Sequence, residues 1–253
     1  MKRPVAIVTG ALRGIGRACC EGLADIGFDI LAVDLADEAS REFADDILLR
    51  GARFAYQRCD ISDTSQHAAV PQAALDAFDH IDCLVNNAGI ASPVRGDLLD
   101  LEPANFDKVI GVNLRGTVFL TQAVVKAMLA HHVDRPRSVI NITSLSADAA
   151  SPERADYCMS KAGLSMWTKV LALRLASEGI SVFEVRPGII RTDMTATVSA
   201  KYETLIEGGL VPMRRWGEAR DIGLAVADLA GGRLSFATGS VLNLDGGLAI
   251  PRL

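Results

Sequence analysis

The sequence predicts an α/β fold in which a doubly wound, parallel sheet of seven strands is covered by helices on both faces. Short apolar runs rich in Val and Ile alternate with longer stretches in which apolar residues recur at helical spacing. The apolar runs are nearly continuous, which is typical of parallel strands buried on both faces. Each connector is long enough for a helical crossover, and because such crossovers are right-handed they favour a single sheet.

The elements follow one another in regular order along the chain. The predicted strands are residues 5–8, 30–33, 54–57, 83–85, 138–142, 182–185 and 241–244. The predicted helices are residues 15–26, 38–49, 65–78, 106–130, 157–177 and 221–229. No linker or repeat interrupts the pattern, so residues 1–253 are expected to form one domain. The irregular segment 192–217 is expected to be a lid, with a plain surface excursion as the alternative.

Composition and charge argue against several classes of protein. Of the 253 residues, 49% are hydrophobic and 23% are charged, which is ordinary for a globular protein and argues against extensive disorder. No uncharged stretch exceeds 12 residues, against about 20 for a membrane span, and the first residues lack the apolar segment of a secretory signal. The net charge of −5 argues against a nucleic-acid partner. We therefore expect a soluble, cytoplasmic protein that binds neither membranes nor nucleic acid.

The cysteines and histidines argue against a metal site. None of the five Cys forms a C-x-x-C pair, and an odd number of Cys suits a reducing compartment. The four His include no pair at i and i+4, the spacing that lets two imidazoles on one helix face bind a metal. No metal is expected.

A glycine-rich turn follows the first predicted strand and opens the first predicted helix. It reads Thr9-Gly10-Ala11-Leu12-Arg13-Gly14-Ile15-Gly16, a G-x-x-x-G-x-G spacing rather than G-x-G-x-x-G. Glycines in such a turn let backbone N–H groups approach a pyrophosphate, and the helix N-terminus adds partial positive charge. The turn therefore predicts a dinucleotide site, with a tight turn that binds nothing as the alternative.

An acid at the end of the second predicted strand supports the dinucleotide interpretation. Asp34 lies 24 residues after Gly10, close to the offset at which a carboxylate accepts hydrogen bonds from an adenosine ribose. A carboxylate there would repel a 2′-phosphate, so Asp34 favours NAD over NADP. Arg13 within the turn could instead meet a 2′-phosphate, and NADP is therefore not excluded.

Tyr157 and Lys161 carry the predicted chemistry. Their i, i+4 spacing places both side chains on one helix face, one turn apart. Lowering the tyrosine pKa from about 10 toward 7 takes roughly 4 kcal/mol, which Lys161 and an oxidised nicotinamide could supply together. A phenol so tuned exchanges a proton with an alcohol or ketone oxygen near neutral pH. The alternative is an ordinary surface pair at helical spacing.

Polar residues follow the fourth and fifth predicted strands. Ser144 precedes Tyr157 by 13 residues, and its hydroxyl can hydrogen-bond an oxygen whose charge changes during hydride transfer. The fourth strand ends in Asn86-Asn87-Ala88-Gly89, at the edge where doubly wound sheets bind ligands. Asn113 interrupts an apolar helix, and its alternative explanation is a polar position that faces solvent or a neighbouring loop.

Taken together, these motifs make the chain resemble the short-chain dehydrogenase/reductase family over essentially its whole length. The motifs, in the family's order and spacing, are Thr9-Gly10-x-x-x-Gly14-x-Gly16, Asn86-Asn87-Ala88-Gly89, Asn113, Ser144, Tyr157-x-x-x-Lys161 and Pro187-Gly188. The resemblance implies a Rossmann-type, three-layer α/β/α domain that binds NAD(P) and interconverts a carbonyl and a secondary alcohol.

The resemblance also implies roles for individual residues. Tyr157 would be the general acid/base, Lys161 would lower its pKa and bind the nicotinamide ribose, and Ser144 would position the substrate oxygen. Asn113 would support a water-mediated proton relay to Lys161, Asp60 would contact adenine, and residues 187–192 would hold the nicotinamide carboxamide. The implied cofactor-binding set is Gly10, Arg13, Gly14, Ile15, Gly16, Asp34, Asp60, Ile61, Asn87, Ala88, Gly89, Tyr157, Lys161, Pro187, Gly188, Ile190 and Thr192.

The resemblance leaves the small-molecule substrate open. Much of the chain is similar to family members that reduce 3-oxoacyl groups on acyl carrier protein, for which Arg214-Arg215 is a candidate docking patch and a solvated pair the alternative. A sugar, polyol or other small secondary alcohol is the competing substrate. A non-catalytic dinucleotide-binding protein is the more distant alternative, because such a protein would be expected to lose catalytic residues that this chain keeps.

The resemblance further implies a homotetramer built on helices 106–130 and 157–177 and on C-terminal strand contacts.

Overall fold

Seven parallel strands form a central sheet in the computed structural model, which describes residues 2–131, 133–196 and 199–251 of the chain. Numbered along the chain, these strands are β1 Val5–Thr9, β2 Asp29–Asp34, β3 Phe54–Arg58, β4 Cys83–Asn86, β5 Arg137–Ile142, β6 Ile180–Pro187 and β9 Val241–Leu244. Across the sheet they lie in the order β3-β2-β1-β4-β5-β6-β9. Between β6 and β9, the short strands β7 Ile190–Arg191 and β8 Gly217–Glu218 pair with each other. The predicted seven-stranded parallel sheet is confirmed.

Helices cover both faces of the sheet. The helices of the described residues are α1 Gly14–Asp25, α2 Arg41–Leu49, α3 Ala69–Phe78, α4 Pro103–Ile110, α5 Thr117–Ala130, α6 Ala155–Leu175, α7 Asp193–Ala196, α8 Ser199–Glu207 and α9 Ala219–Ala230. Short 3-10 segments are Thr64–Gln66, Leu98–Asp100, Leu145–Ala147, Pro152–Arg154, Ala176–Glu178 and Ser235–Ala237. Among the helices of the described residues, none is both long and apolar enough to cross a membrane.

The core consists of two apolar layers, one on each face of the sheet. Because successive strand residues point to opposite faces, Ala6 and Val8 of β1 pack with α1, α2 and α9, whereas Val5 and Ile7 pack with α3, α5 and α6. All four side chains are fully buried, which is why the strand reads as a continuous apolar run. The three-layer α/β/α arrangement is confirmed.

Two glycines let α1 and α9 pack closely on one face of the sheet. A Cβ on Gly22 would lie 2.7 Å from the carbonyl oxygen of Gly223, and a Cβ on Gly223 would overlap the carbonyl of Ala18. Backbone therefore meets backbone along this contact, and α1 is held against the sheet by a partner 200 residues away in sequence.

Three predicted helices differ from the observed ones. The predicted helix 106–130 contains a π-helical segment, Gly111–Gly116, between α4 and α5; such segments insert a wider turn into a helix. The predicted helix 65–78 begins as the 3-10 segment Thr64–Gln66 and continues as α3. The predicted helix 38–49 begins only at Arg41, because the hydroxyl of Ser40 caps it.

The strand order opens a crevice at the carboxyl ends of β1 and β4. From β1 the chain moves outward through β2 and β3, and from β4 it moves the opposite way through β5 and β6. The two sets of crossovers therefore diverge at Thr9 and Asn86, the last residues of β1 and β4. Ligands of doubly wound sheets bind at this switch point.

Candidate active site

The glycine turn lies at the mouth of this crevice, between β1 and α1. Gly10 and Gly14 have φ angles of +62° and +53°, in the left-handed region where a side chain is strained. A Cβ on Gly16 would overlap the carbonyl of Gly10. Arg13, the residue before the helix, does not cap α1 with its side chain, so the N–H groups of the first turn remain available to an anion.

Asn87 connects the glycine turn to β4. Its Nδ2 donates to the carbonyl oxygens of Thr9 and Gly10 at 2.9 and 3.0 Å. In return, Oγ1 of Thr9 accepts from the backbone N–H groups of Asn87 and Ala88, both at 3.0 Å. The two predicted cofactor segments are therefore one hydrogen-bonded unit. The turn leaves no room for a Cβ, and the N-terminus of the helix that follows it is not capped by a side chain. Both features fit a bound pyrophosphate.

Asp34 ends β2 beside the same turn. Its Oδ2 accepts from the backbone N–H of Leu12 at 3.1 Å, and its Oδ1 accepts from that of Leu35 at 2.8 Å. The side chain of Arg13 is 80% exposed and lies 3.7 Å from the carboxylate of Asp193 on α7. Asp34 is thus fixed by the backbone next to the turn, whereas Arg13 extends into solvent toward the predicted lid.

Asp60 and Ile61 follow β3 and are held by local hydrogen bonds. Oδ1 of Asp60 accepts from the backbone N–H and the hydroxyl of Ser62 at 2.9 and 2.7 Å. The side chain of Ile61 is buried, and its carbonyl oxygen lies 2.8 Å from Nε2 of His67. Contact between these two residues and an adenine ring stays a prediction.

Ser144, Tyr157 and Lys161 line one cavity of about 750 Å³ at the carboxyl end of the sheet. Ser144 follows β5, and the other two residues lie in the first two turns of α6. Nζ of Lys161 lies 5.7 Å from the centre of the Tyr157 ring and donates to the carbonyl oxygen of Ile142 at 3.0 Å. A phenol, an ammonium group and a serine hydroxyl therefore line the same cavity.

Burial changes the proton affinity of both partners. It lowers the pKa of Lys161 to about 8, because the charged ammonium loses solvent. It raises the pKa of Tyr157, even though a hydrogen bond with the Ser144 hydroxyl and the charge of Arg154 act in the opposite direction. In the chain by itself, desolvation of the phenolate outweighs the nearby cations. The predicted fall in the Tyr157 pKa depends on Lys161 together with an oxidised nicotinamide, and it stays a prediction.

Asn113 lies in the π-helical segment and is 1% exposed. Its Oδ1 accepts from the backbone N–H of Ile90 at 2.8 Å, and its Nδ2 donates to the carbonyl of Ile90 and the hydroxyl of Ser160. It thus faces a neighbouring loop rather than solvent. A Cβ on Gly89 would lie 3.2 Å from Oδ1 of Asn113 and 3.6 Å from Nζ of Lys161, so both side chains lie close to this glycine.

The cavity brings together about half of the predicted site residues. Those lining it are Ile15, Asn87, Gly89, Ser144, Tyr157, Lys161, Pro187, Gly188, Ile190 and Thr192. Those outside its lining are Gly10, Arg13, Gly14, Gly16, Asp34, Asp60, Ile61, Ala88 and Asn113. The predicted lid segment also contributes Met194, Thr195, Tyr202 and Leu210 to the lining.

Three arginines of the cavity were missed by the sequence analysis. Arg95, Arg154 and Arg186 all line it, together with Asp148. Two of them adjoin recognised motifs, since Arg154 precedes Tyr157 by three residues and Arg186 directly precedes Pro187. Their closeness to these motifs could have indicated that they belong to the site. However, arginine is ordinarily a surface residue, and whether its side chain points into the cavity depends on the fold.

The buried carboxylate of Glu184, on β6, holds one of these arginines, Arg186, in place. Glu184 is fully buried, and its Oε1 accepts from Oγ1 of Thr143 at 2.7 Å and from Nε of Arg186 at 2.6 Å. Its Oε2 accepts from the hydroxyl of Ser165 at 2.8 Å. The charge of Glu184 also opposes the effect of burial on the pKa of Lys161.

Comparison with known sequences gives consistent matches over the whole chain. A family model described as enoyl-(acyl carrier protein) reductase matches residues 10–249. The chain is 34% identical over 249 residues to the 3-oxoacyl-[acyl-carrier-protein] reductase of Synechocystis sp., covering 97% of each protein. It is 33% identical over 246 residues to a 3-oxoacyl-[acyl-carrier-protein] reductase of Staphylococcus epidermidis, covering 96% of this chain and 98% of that protein.

Comparison with solved structures extends these matches to the fold. A 3-oxoacyl-[acyl-carrier protein] reductase from Brucella melitensis, solved in complex with NAD, is 56% identical and superposes with a TM-score of 0.97 over 100% of both chains. A putative 2-deoxy-d-gluconate 3-dehydrogenase from Agrobacterium tumefaciens, solved with bound NADP, is 32% identical with a TM-score of 0.85, covering 99% of this chain and 98% of that one.

Proposed function

The chain belongs to the short-chain dehydrogenase/reductase family, and from that premise we propose that its turnover depends on Tyr157, Lys161 and Ser144. The protein is an NAD(P)-dependent oxidoreductase that interconverts a carbonyl and a secondary alcohol. The observation that carries the proposal is the shared cavity, into which the phenol, the ammonium group and the hydroxyl all face. Three groups able to hold or move a proton meet where the topology places a ligand.

The residues at the switch point fit a dinucleotide. The glycine turn and the first N–H groups of α1 would hold the pyrophosphate, Asp34 the adenosine ribose, and Lys161 the nicotinamide ribose. Asp60 would contact adenine, and residues 187–192 would hold the nicotinamide carboxamide. When bound, the cofactor supplies or accepts the hydride.

Tyr157 would exchange the proton. Because burial raises its pKa, Tyr157 keeps its proton at neutral pH and can donate it to a ketone oxygen during reduction. The Ser144 hydroxyl would position that oxygen. In the oxidation direction the phenol must first lose its proton, and the protonated fraction of Lys161 would favour that loss. Asn113 would support a water-mediated relay to Lys161, since both side chains lie close to Gly89.

NAD is the proposed preferred cofactor. The Asp34 carboxylate, fixed beside the glycine turn by two backbone N–H groups, would repel a 2′-phosphate. Arg13 could offset that repulsion only by leaving its position near Asp193. The solved relative from Brucella melitensis, which contains NAD, supports the same preference.

A 3-oxoacyl thioester is the first proposed substrate, on the strength of the relatives' names. The proposed carrier-docking patch is weakened, because Arg215 forms an ion pair with Asp221 at 2.7 Å. A sugar or polyol is the second candidate, favoured by the 32% identical dehydrogenase from Agrobacterium tumefaciens. A non-catalytic dinucleotide-binding protein is disfavoured, since the chain keeps Tyr157, Lys161 and Ser144.

A cytoplasmic homotetramer is the proposed assembly. Apolar side chains are exposed on the two helices expected to form its contacts, including Phe119 on α5 and Met166 and Leu173 on α6. Leu173 is 84% exposed, and Phe236 near β9 is fully exposed. Apolar patches of this kind mark association surfaces. Analytical ultracentrifugation of the protein and of Leu173→Glu should give a tetramer and a smaller species, respectively.

Turnover by Tyr157→Phe tests the proposed chemistry. We expect fluorescence titration to show similar NADH binding for both proteins, and the variant to reduce a panel of ketones about 10²- to 10⁴-fold more slowly. Tyr56→Phe, which removes the hydroxyl of a tyrosine on β3 outside the cavity lining, serves as the matched control. Equal rates for the wild type and Tyr157→Phe would contradict the assignment.

A further inference from the structure

The substrate side of the cavity is strongly basic in a chain that is acidic overall. The protein has 31 acidic and 26 basic residues, yet the cavity lining contains Arg95, Arg154 and Arg186 with Asp148 as its acidic member. Positive charge that is concentrated in a cavity attracts anionic ligands, even when the protein as a whole is negatively charged.

Arg186 is not available to a ligand. Its Nε donates to Glu184 at 2.6 Å, one terminal nitrogen donates to Asp148 at 2.7 Å, and the other donates to the hydroxyl of Ser165 at 2.9 Å. Both carboxylates therefore neutralise this guanidinium, and Asp148, the one acid among the described lining residues, is already engaged.

Arg95 and Arg154 have no carboxylate partner among the residues that the structure describes. Nε of Arg154 makes a 3.3 Å hydrogen bond to the hydroxyl of Ser151, which leaves its terminal nitrogens without a charged partner. Its Cζ lies 5.6 Å from the centre of the Tyr157 ring. Arg154 therefore lies beside the reacting phenol, and Arg95 lines the same cavity.

These two arginines belong to the substrate side. Arg95 lies in the loop after β4, and Arg154 ends the 3-10 segment that leads into α6. The pyrophosphate is expected at the glycine turn before α1, which is a different segment of the rim. A positively charged oxidised nicotinamide would not be drawn to two unpaired guanidiniums, because like charges repel.

We infer that the substrate carries an oxyanion, a carboxylate or a phosphate, bound by Arg95 and Arg154 within a few bonds of the carbon whose oxygen meets Tyr157. Guanidinium groups hold such anions through charge-assisted, often bidentate hydrogen bonds. This inference rests on the proposed function, because it concerns the substrate of the same cavity. It rests on the proposed reaction rather than on the proposed substrates, since it ranks hydroxy acids, oxo acids or phosphorylated alcohols above the thioester and the sugar that the relatives' names favour.

Matched pairs of compounds test the inference. Reduction by NADH is measured for straight-chain 2-, 3-, 4- and 5-oxo acids, each against its own methyl ester, and for dihydroxyacetone phosphate against dihydroxyacetone. For the wild type, kcat/KM of at least one anion should exceed that of its neutral partner about tenfold or more. In Arg95→Gln/Arg154→Gln, the value for that anion should fall about 100-fold and the value for its neutral partner less than about threefold. The acid and phosphate arms show which anion is recognised.

Arg220→Gln is the matched control, because Arg220 is an exposed arginine on α9 outside the cavity. It should leave every rate unchanged. The inference is overturned if the wild type reduces the esters as well as the acids and dihydroxyacetone as well as its phosphate. It is equally overturned if the double variant keeps the anion-to-neutral ratio.

A binding measurement separates this inference from the proposed function. Malonate and inorganic phosphate are titrated by calorimetry into the protein saturated with NADH. If no compound in the panel is reduced, and no 3-oxoacyl thioester or sugar either, the proposed function fails on its own. Malonate or phosphate binding that disappears in the double variant then still supports the oxyanion site, whereas no binding of either anion overturns it.

Discussion

Glu184 and Arg186 form a buried ion pair on one strand, with 2.6 Å between Oε1 of the carboxylate and Nε of the guanidinium. Two residues apart on β6, both side chains point to the same face of the sheet. The Glu184 side chain is fully buried, and the Arg186 side chain is 9% exposed at the wall of the cavity. The ion pair therefore connects a carboxylate inside the sheet to an arginine at the wall of the cavity.

Glu184→Gln should lower the free energy of unfolding by about 3 kcal/mol, because it leaves a buried guanidinium with Asp148 as its one charged partner among the described residues. Urea unfolding followed by circular dichroism measures the change. The control is Glu178→Gln, in the exposed pair with Arg174, which should cost less than about 1 kcal/mol. Equal losses in the two variants would show that the buried pair contributes no more than a surface pair.

Lys161 should make stability rise with pH in the alkaline range. Its pKa is about 8 in the folded protein against an ordinary value of 10.5. Between these values the unfolded chain binds a proton that the folded protein does not, so stability increases with pH there. The full effect is about 3 kcal/mol, and the penalty for the buried charge is complete below about pH 8.

The difference in unfolding free energy between the wild type and Lys161→Met isolates this contribution from the other alkaline titrations. Urea unfolding at intervals from pH 7 to 10.5 should give a difference that grows in favour of the wild type. A difference that is flat with pH would mean that the Lys161 pKa is not lowered. The same variant should bind NADH more weakly and shift the pH–rate profile to more alkaline values.

Asp34→Ala should weaken NAD binding about tenfold and reduce the discrimination against NADP, because it removes both a ribose acceptor and a repelling charge. Fluorescence titration with NADH and NADPH gives both dissociation constants. Asp37→Ala, which removes an exposed carboxylate just beyond β2, should change neither constant appreciably. An unchanged NADH-to-NADPH ratio in Asp34→Ala would remove Asp34 as the selector.

Gly223→Ala should destabilise the protein by about 1–3 kcal/mol, because its Cβ would overlap the carbonyl of Ala18 where α9 meets α1. Thermal unfolding measures the loss. Gly111→Ala is the control, because nothing lies within 4 Å of its Cβ position and alanine favours helix. The control should be neutral or stabilising, and an equal loss in both variants would contradict close packing of the two helices.

Sequence patterns anticipated the strands better than the helix details. A strand buried on both faces is a short apolar run, and this local signal located all seven strands of the sheet. The π-helical segment around Asn113 was not anticipated, because its geometry depends on packing: a Cβ on Gly116 would overlap the carbonyl of Ile61. The late start of α2 depends on the hydroxyl of Ser40, which the apolar periodicity does not register.

The sequence by itself determined the order of strands and helices, the glycine turn and the spacing of Tyr157 from Lys161, because each of these is a short-range pattern along one strand or helix. The tertiary structure decided which charges are neutralised. Arg186 is paired with Asp148, 38 residues away, whereas Arg95 and Arg154 reach the cavity without a carboxylate among the described residues. Burial likewise decided the proton affinities of Lys161 and Tyr157, because desolvation depends on the atoms that the fold packs around a group.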